Sequence, residues 1–218
     1  KAITGLGFQP DFIWIKERSG VGSGPLADST RGTGKAIYSN LPDADYTFTS
    51  GEGIKSFDSD GFTVGDVSNG NAGYNGDGDT YVAWCWKANG GTTSSNTDGS
   101  ITSTVQANKN AGFSIVKYTG SGSSASVGHG LASAPKLILS KRIASSSDWL
   151  AGAIDWTKYL EPNGTPPFRT ANVWTNSAPT STTFGVINST SASSVEYINY
   201  CWADVAGYQK IDSYEGNG

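Results

Sequence analysis

Residues 81–86 read YVAWCW and residues 197–202 read YINYCW, so one block recurs at an offset of 197 − 81 = 116. Successive side chains of a β-strand point to opposite faces. The first copy would therefore place Tyr81, Ala83 and Cys85 on one face of a strand and its other three side chains, all apolar, on the opposite face. The block predicts a strand in both places.

Two more blocks repeat in the same order. GLGFQPDFIWIK at residues 5–16 matches GLASAPKLILSK at residues 130–141, and FTV at residues 62–64 matches FGV at residues 184–186. Both longer blocks begin G-L-x-x-x-P and continue as an apolar run followed by Lys. Matches in a constant order indicate two homologous units.

The composition favours an all-β fold. The 218 residues include 29 Gly, no Met and 11% aromatic residues, among them seven Trp. Aromatic and β-branched patches between small polar turn residues are typical of strands. We predict two tandem antiparallel β-sandwich units with a jelly-roll or concanavalin-like topology, each of about 95–110 residues.

A further match sets the boundaries of these units. AGFSIVKY at residues 111–118 opens the second unit and resembles AGYQKIDSY at residues 206–214. The small polar composition between the units indicates a linker. The predicted segments are 1–88, a first unit without its opening strand; 89–110, a linker with an edge strand; 111–205, the second unit; and 206–218, the opening strand of a further unit.

The missing opening strand has a structural consequence. An open sheet edge leaves backbone N–H and C=O groups without partners. We therefore expect the edge near residues 12–15 to be filled by residues 206–218 or by an adjoining chain. The start at Lys1 and the lack of Met lead us to expect a piece of a longer array.

The charge and hydropathy patterns exclude two classes of partner. The net charge is −4 and the isoelectric point is near 4.9, whereas nucleic-acid recognition needs a basic face. A membrane-spanning helix needs about 18 or more consecutive apolar residues. The sequence contains no such run, so we predict neither nucleic-acid binding nor membrane insertion.

Cysteine and histidine offer little material for catalysis. The two cysteines, Cys85 and Cys201, occupy equivalent places in the two repeats and are expected to be reduced and buried in separate cores. His129 is the single histidine, lies between two glycines and is interpreted as a turn residue. A catalytic triad has no supporting partners here. We therefore predict a protein that is not an enzyme, with no catalytic residue.

Four aspartates of the first unit leave three interpretations open. Asp58 and Asp60 lie in DSDG, and Asp77 and Asp79 lie in DGD. Asp-Gly pairs are common in tight turns, and we favour this interpretation. The same oxygen-rich loops could hold Ca²⁺, the one cofactor that the sequence allows. Paired carboxylates could also cleave a glycosidic bond.

Three tryptophans are candidates for carbohydrate binding. Trp149, Trp156 and Trp174 lie in the polar middle of the second unit, outside the repeated strands. Flat apolar rings stack on sugar faces, but burial in the core is an equally open interpretation. The other four are expected in the core because they lie within predicted strands: Trp14, Trp84, Trp86 and Trp202.

The blocks together resemble a known family. SFDSDGFTVG at residues 56–65, TYVAWCWKA at residues 80–88 and VGHGLASAPK at residues 127–136 are similar to a domain of unknown function. That domain occurs in tail-fibre-like and other structural proteins of marine bacteriophages and cyanophages. The resemblance implies a virion component displayed outside the particle and supplies no catalytic residues.

These observations lead to one expectation about function. We expect a non-enzymatic virion surface or appendage protein that presents β-sandwiches, either for adhesion to host-surface glycans or as a structural spacer. Its partners would be other copies of itself, neighbouring virion proteins and a host glycan. The alternatives are a polysaccharide depolymerase and a secreted bacterial carbohydrate-binding adhesin. In each case we expect an extracellular location, which the low charged fraction of 16% favours.

Overall fold

The computed structural model describes residues 1–48, 51–65 and 74–218, and the regular secondary structure of these residues is almost entirely β-strand. The one helical element among them is a single 3-10 turn at Asn188–Thr190. The all-β class is therefore confirmed. No helix in the described ranges is long and apolar enough to cross a membrane.

The chain divides into two compact units. The first unit comprises Lys1–Thr93, Arg142–Trp149 and Pro162–Gly164. The second unit comprises Ser94–Lys141, Leu150–Glu161 and Thr165–Gly218.

The described residues of the first unit form two antiparallel sheets. The strands in chain order are β1 (Ala2–Thr4), β2 (Phe12–Glu17), β3 (Pro25–Asp28), β4 (Lys35–Tyr38), β5 (Tyr46–Thr47), β6 (Ile54–Asp58), β7 (Gly61–Val64) and β8 (Tyr81–Trp86). One sheet has the order β1-β7-β6, and the other has the order β5-β4-β3-β2-β8. A shared core joins the two sheets, because Ile13 and Ile15 of β2 and Phe62 and Val64 of β7 belong to the same buried cluster. This arrangement is β-sandwich-like.

The second unit is built in a similar way. Its strands in the described chain are β9 (Ser94–Asn96), β10 (Ser103–Asn108), β11 (Phe113–Thr119), β12 (Ala125–Gly128), β13 (Leu137–Arg142), β14 (Leu150–Ala153), β15 (Lys158–Tyr159), β16 (Arg169–Thr170), β17 (Thr183–Val186) and β18 (Glu196–Trp202). The large sheet has the order β14-β13-β18-β11-β10-β9, and β12-β17 and β15-β16 form two smaller sheets. Val116 and Tyr197 of the large sheet share a buried cluster with Val127 and Phe184 of the β12-β17 sheet.

The repeated blocks occupy matching places in the two units. β2 lies between β3 and β8, and β13 lies between β14 and β18. Ile3 of β1 faces Phe62, and Val127 of β12 faces Phe184. These pairings agree with the repeat, while the finer assignment to two homologous jelly-roll or concanavalin-like sandwiches stays a prediction.

The segment at residues 89–110 is more ordered than its composition indicated. It contributes β9 and β10 to the large sheet of the second unit, and β10 lies inside that sheet, between β9 and β11. Val105 of β10 is buried in the core of this unit. The predicted edge strand is therefore present as β10, but it is enclosed, and β9 takes the edge position within residues that were interpreted as linker.

The buried carboxylate of Asp11 ties the start of β2 to the end of β8. It accepts hydrogen bonds from the backbone N–H groups of Ala88 at 2.7 Å, Gly90 at 2.9 Å and Gly91 at 2.7 Å, and from the Ser29 hydroxyl at 2.7 Å. Gly90 and Gly91 have φ values of +60° and +78°, which let both amides turn toward the carboxylate. The turn after β8 is therefore fixed by one side chain.

A buried ion pair network stabilises the other end of the same sheet. The Arg31 guanidinium contacts Asp28 and Asp45, both at 2.6 Å, and donates to the carbonyl of Leu26 at 2.9 Å. All three charged side chains are almost fully buried. Such a network holds a loop against β3 because each charge needs the others once water is excluded.

Replacing Asp11 should weaken the first unit. The Asp11→Ala variant leaves the N–H groups of buried Ala88 and of Gly90 and Gly91 without their acceptor, so we expect the free energy of unfolding to fall by about 2–4 kcal/mol in urea denaturation. Asp43→Ala removes an exposed carboxylate of the same unit and should change it by less than about 0.5 kcal/mol. Equal effects of the two substitutions would contradict this role of Asp11.

Candidate functional site

The outer edge of β8 is the most distinctive feature of the first unit. β2 pairs with β8 along its whole length, from Phe12 opposite Trp86 to Glu17 opposite Tyr81. Within the described ranges, no strand pairs with the other side of β8. The expected open edge near residues 12–15 is therefore wrong in its position, because β3 and β8 flank that strand on both sides. The open edge belongs to β8.

β18 shows how the same block behaves when it is enclosed. β18 lies between β13 and β11, and the matching β8 lies at the end of its sheet. Tyr200 of β18 is 0% exposed, whereas Trp84 at the matching position of β8 is 46% exposed. The two blocks have nearly the same sequence, so the difference in exposure comes from their neighbours.

β8 also differs from the other edges in the described sheets. It is six residues long, while the other strands at sheet ends in the described chain have two to five residues: β1, β5, β6, β9, β12, β14, β15, β16 and β17. Soluble proteins commonly protect edges by shortening them or by placing Lys, Pro or other charges on them. YVAWCW has none of these protections. The edge of β8 is therefore suited to pair with another strand.

A groove of about 860 Å³ opens beside this edge, between the two sheets of the first unit. Ile3, Phe62 and Val64 line it from the β1-β7-β6 sheet, and Ile15 and Ala83 line it from the β2-β8 side. Lys1 and residues 74–81 complete the lining. The groove therefore presents apolar side chains from both sheets beside a polar rim.

The second unit has a tyrosine in the matching place. Tyr118 of β11 is buried, stacks on Tyr197 with ring centroids 5.2 Å apart, and donates its hydroxyl hydrogen to the Thr190 carbonyl. Ser140 and Asn199 lie beside that hydroxyl, and burial raises the pKa of Tyr118 well above its ordinary value.

The sequence repeat relates the residues around Tyr118 to residues that line the groove. Tyr197, Asn199 and Ser140 match Tyr81, Ala83 and Ile15 at offsets of 116, 116 and 125. All three matched residues of the first unit line the groove. By sequence match, the groove therefore corresponds to the surroundings of Tyr118 in the second unit.

The polar rim of the groove is held by local hydrogen bonds. The Tyr81 hydroxyl accepts from the Gly76 amide at 2.8 Å, and Ser19 donates to Asp79 at 2.9 Å. The Tyr74 hydroxyl is buried without a partner among the described residues, and burial raises its pKa far above the ordinary value.

The four aspartates serve turns rather than one shared site. Asp58 accepts from the Thr63 hydroxyl at 2.8 Å, and Asp60 accepts from the Gly5 and Gly7 amides. Asp77 and Asp79 lie at the groove rim. No group of three or more His, Cys, Asp or Glu side chains in the described part of the chain is arranged to hold a metal ion. These contacts support the turn interpretation and give no support to the calcium interpretation.

The three candidate tryptophans are core residues. Trp149, Trp156 and Trp174 are 2%, 6% and 1% exposed. Trp149 donates its indole N–H to the Tyr38 carbonyl at 2.8 Å, and Trp156 meets Trp174 edge to face at 5.8 Å. Their assignment to carbohydrate binding is wrong for this structure, since a ring must face solvent to stack on a sugar. The exposed tryptophan is Trp84, which the sequence had assigned to the core.

The cysteines agree with the prediction in part. Both are unpaired, Cys201 is buried and Cys85 is half-buried. Burial raises the pKa of Cys201 to about 12 and that of Cys85 to about 11. Cys85 is less buried than predicted because no strand covers the outer side of β8.

His129 has the turn role that its position indicated. The Leu131 amide donates to Nδ1 at 3.1 Å, and Nε2 lies 3.3 Å from the Thr180 carbonyl oxygen. These contacts fit a neutral ring with its proton on Nε2. Burial lowers the pKa of His129, and the Thr180 carbonyl and Asp98 oppose this shift.

Taken together, the sheets and the groove define an all-β protein of β-sandwich-like units with one long open strand edge. The chain belongs to the family described as a domain of unknown function (DUF7483), which matches residues 1–218. Neither a curated protein nor a solved structure matches the chain. The expected family is thereby confirmed at the level of a domain of unknown function.

The edge and the groove were not identified as a site from the sequence. The signal for them was the match between residues 111–118 and residues 206–214. This match indicated an open edge in the first unit. The strand that carries the edge could be assigned only once the pairing of β2 was known.

His129 should make stability depend on pH. Its folded pKa lies below the unfolded value of about 6.5, so the unfolded state binds more protons as the pH falls. We expect the free energy of unfolding to decrease between pH 7.5 and 5.5, by at most about 1.4 kcal/mol, which is the limit for a histidine that stays neutral in the folded state. His129→Asn keeps an acceptor for the Leu131 amide and should remove this decrease in urea denaturation. An equal decrease in both proteins would exclude His129 as its source.

Proposed function

We propose that the protein is a non-enzymatic structural component of a virion surface appendage, similar to a phage tail fibre, in which β-sandwich-like units join by strand addition. One observation carries the proposal. The same strand block is enclosed in the second unit, at β18, and open at its outer edge in the first, at β8. A protein that joins copies through a sheet edge needs one unit with that edge uncovered.

The chemistry of the edge supports association through the backbone. An apolar strand of six residues offers a row of N–H and C=O groups, and the groove beside it offers apolar surface to alternate side chains of an added strand. The backbone groups supply affinity and the groove supplies specificity. The partners would be other copies of the chain or neighbouring virion proteins.

The composition supports a location outside the cell. Charged residues make up only 16% of the chain, and small polar residues are abundant. The resemblance of the repeated blocks to structural proteins of marine bacteriophages and cyanophages favours the surface of a virion as that location.

Of the two roles expected from the sequence, a structural spacer is better supported than glycan adhesion. The proposed stacking platform of Trp149, Trp156 and Trp174 is buried in the folded protein. A polysaccharide depolymerase and a secreted bacterial adhesin remain as outcomes that the experiment below distinguishes.

Sedimentation velocity of the purified chain over a hundredfold range of concentration tests the proposal. We expect oligomers whose size grows with concentration, and extended particles in negative-stain electron microscopy. Trp84→Lys places a charge on the open edge and should reduce association at least tenfold. Tyr46→Lys is the matched control, because Tyr46 is also half exposed and lies on β5 at the opposite end of the same sheet.

Other results would contradict the proposal. A chain that stays monomeric throughout the range does not assemble through its edge. Binding to a glycan array by the monomer would indicate an adhesin. Release of reducing ends from a polysaccharide, lost in Asp60→Asn, would indicate a depolymerase.

A further inference from the structure

We infer that the strand added to β8 is residues 208–214 of a second copy of this chain. The inference rests on the proposed function and names the partner for the same edge. Three features carry it: the register of β11 on β18, the side chains that fill the groove, and the exposure of the proposed donor segment.

The register follows from the second unit. β11 runs antiparallel to β18 over seven residues, with Phe113 opposite Trp202 and Val116 opposite Asn199. Residues 206–214 resemble residues 111–118, which include most of β11, and β8 matches β18. The same register places Tyr208 opposite Trp86 and Ile211 opposite Ala83.

Ile211 then points toward the groove. Its counterpart Val116 belongs to the buried core of the second unit. Ala83, opposite Ile211, lines the groove together with Ile15 and Phe62. Because alternate residues of a strand share one face, an isoleucine at this register position buries its side chain between the two sheets.

Tyr214 supplies the aromatic ring that Tyr118 supplies in the second unit. It matches Tyr118, with one extra residue between Ile211 and Tyr214 compared with the interval from Val116 to Tyr118. A β-bulge accommodates one extra residue in an antiparallel pair. Tyr118 stacks on Tyr197, so Tyr214 would stack on Tyr81, the residue that matches Tyr197.

The donor segment is exposed in its own chain. Tyr214 is 94% exposed, and residues 206–218 form no strand, which corrects the prediction of a strand within the single chain. In the free chain Gln209 anchors the start of the segment, since it bridges to Val205 and its side chain donates to the carbonyls of Ala203 and Gly112. Strand addition at this register places Gln209 opposite the edge of β8, so it releases the backbone bridge to Val205. The residues that follow Gln209 extend away from this anchor as mostly exposed chain.

The positions of the donor strand and of the acceptor edge in the chain determine the kind of assembly. The donor belongs to the second unit, and the acceptor belongs to the first unit. Each copy would therefore use different surfaces as donor and as acceptor, which is a heterologous contact. Such contacts produce closed rings or open filaments. Either product suits a repeated appendage.

Cysteine cross-linking between two differently tagged chains tests the register. One chain carries Ala83→Cys and the other carries Ile211→Cys, both with Cys85→Ser so that the half-buried native thiol cannot react. Position 83 is exposed and position 211 half-buried, so both substitutions should leave the fold intact, which circular dichroism checks. Under mild oxidation with oxidised glutathione, we expect a disulfide-linked heterodimer. Lys210→Cys, on the opposite face of the donor, replaces Ile211→Cys in the control and should give at least tenfold less.

The outcomes separate this inference from the proposed function. Concentration-dependent association without the 83–211 cross-link would overturn the inference and leave assembly through the edge in place. A monomeric chain without the cross-link would overturn both. A cross-link that forms only when both substitutions are in one chain would show that the segment closes on its own copy, and it would likewise refute donation to a second copy.

Discussion

A β-strand at the end of a sheet has backbone hydrogen-bonding groups on one side that no strand satisfies, and this constraint organises the protein. The second unit meets it by enclosing β18 between β13 and β11. The first unit presents the matching strand, β8, with its outer side unpaired in the described chain. The exposure of Trp84, the half-buried Cys85 and the apolar groove all follow from this one difference. In this respect the first unit resembles the second unit without β11.

The open edge is held in a fixed position, which favours ordered pairing over unspecific aggregation. Pairing with β2 sets the register of β8, and the carboxylate of Asp11 fixes the turn that follows it. The Arg31 network stabilises the opposite side of the same sheet. An acceptor that is ordered before binding loses less conformational entropy when a strand is added. The apolar groove beside it then selects strands with suitable side chains at alternate positions.

Alternating patterns and repeated blocks predicted the all-β class and the strands at residues 12–15 and 81–86, because these signals are local. Burial was harder to predict, because it depends on neighbours that are distant in sequence. Trp149 lies in a polar stretch and is buried, whereas Trp84 lies in an apolar strand and is exposed. In the same way, the strand that carries Val105 was predicted at a sheet edge and is enclosed between β9 and β11. The groove depends on both sheets of the first unit, so no single stretch of sequence could indicate it.

The proposed assembly requires that β8 gain a second neighbouring strand when copies of the chain meet. Hydrogen exchange at the amides of β8, measured by NMR at low and high chain concentration, tests this. We predict that alternate amides of β8 exchange rapidly at low concentration and slowly at high concentration, while the amides of β18 are protected at both. Rapid exchange of those β8 amides at every concentration would contradict the account, and slow exchange even in dilute monomer would show that the edge is already paired within the chain.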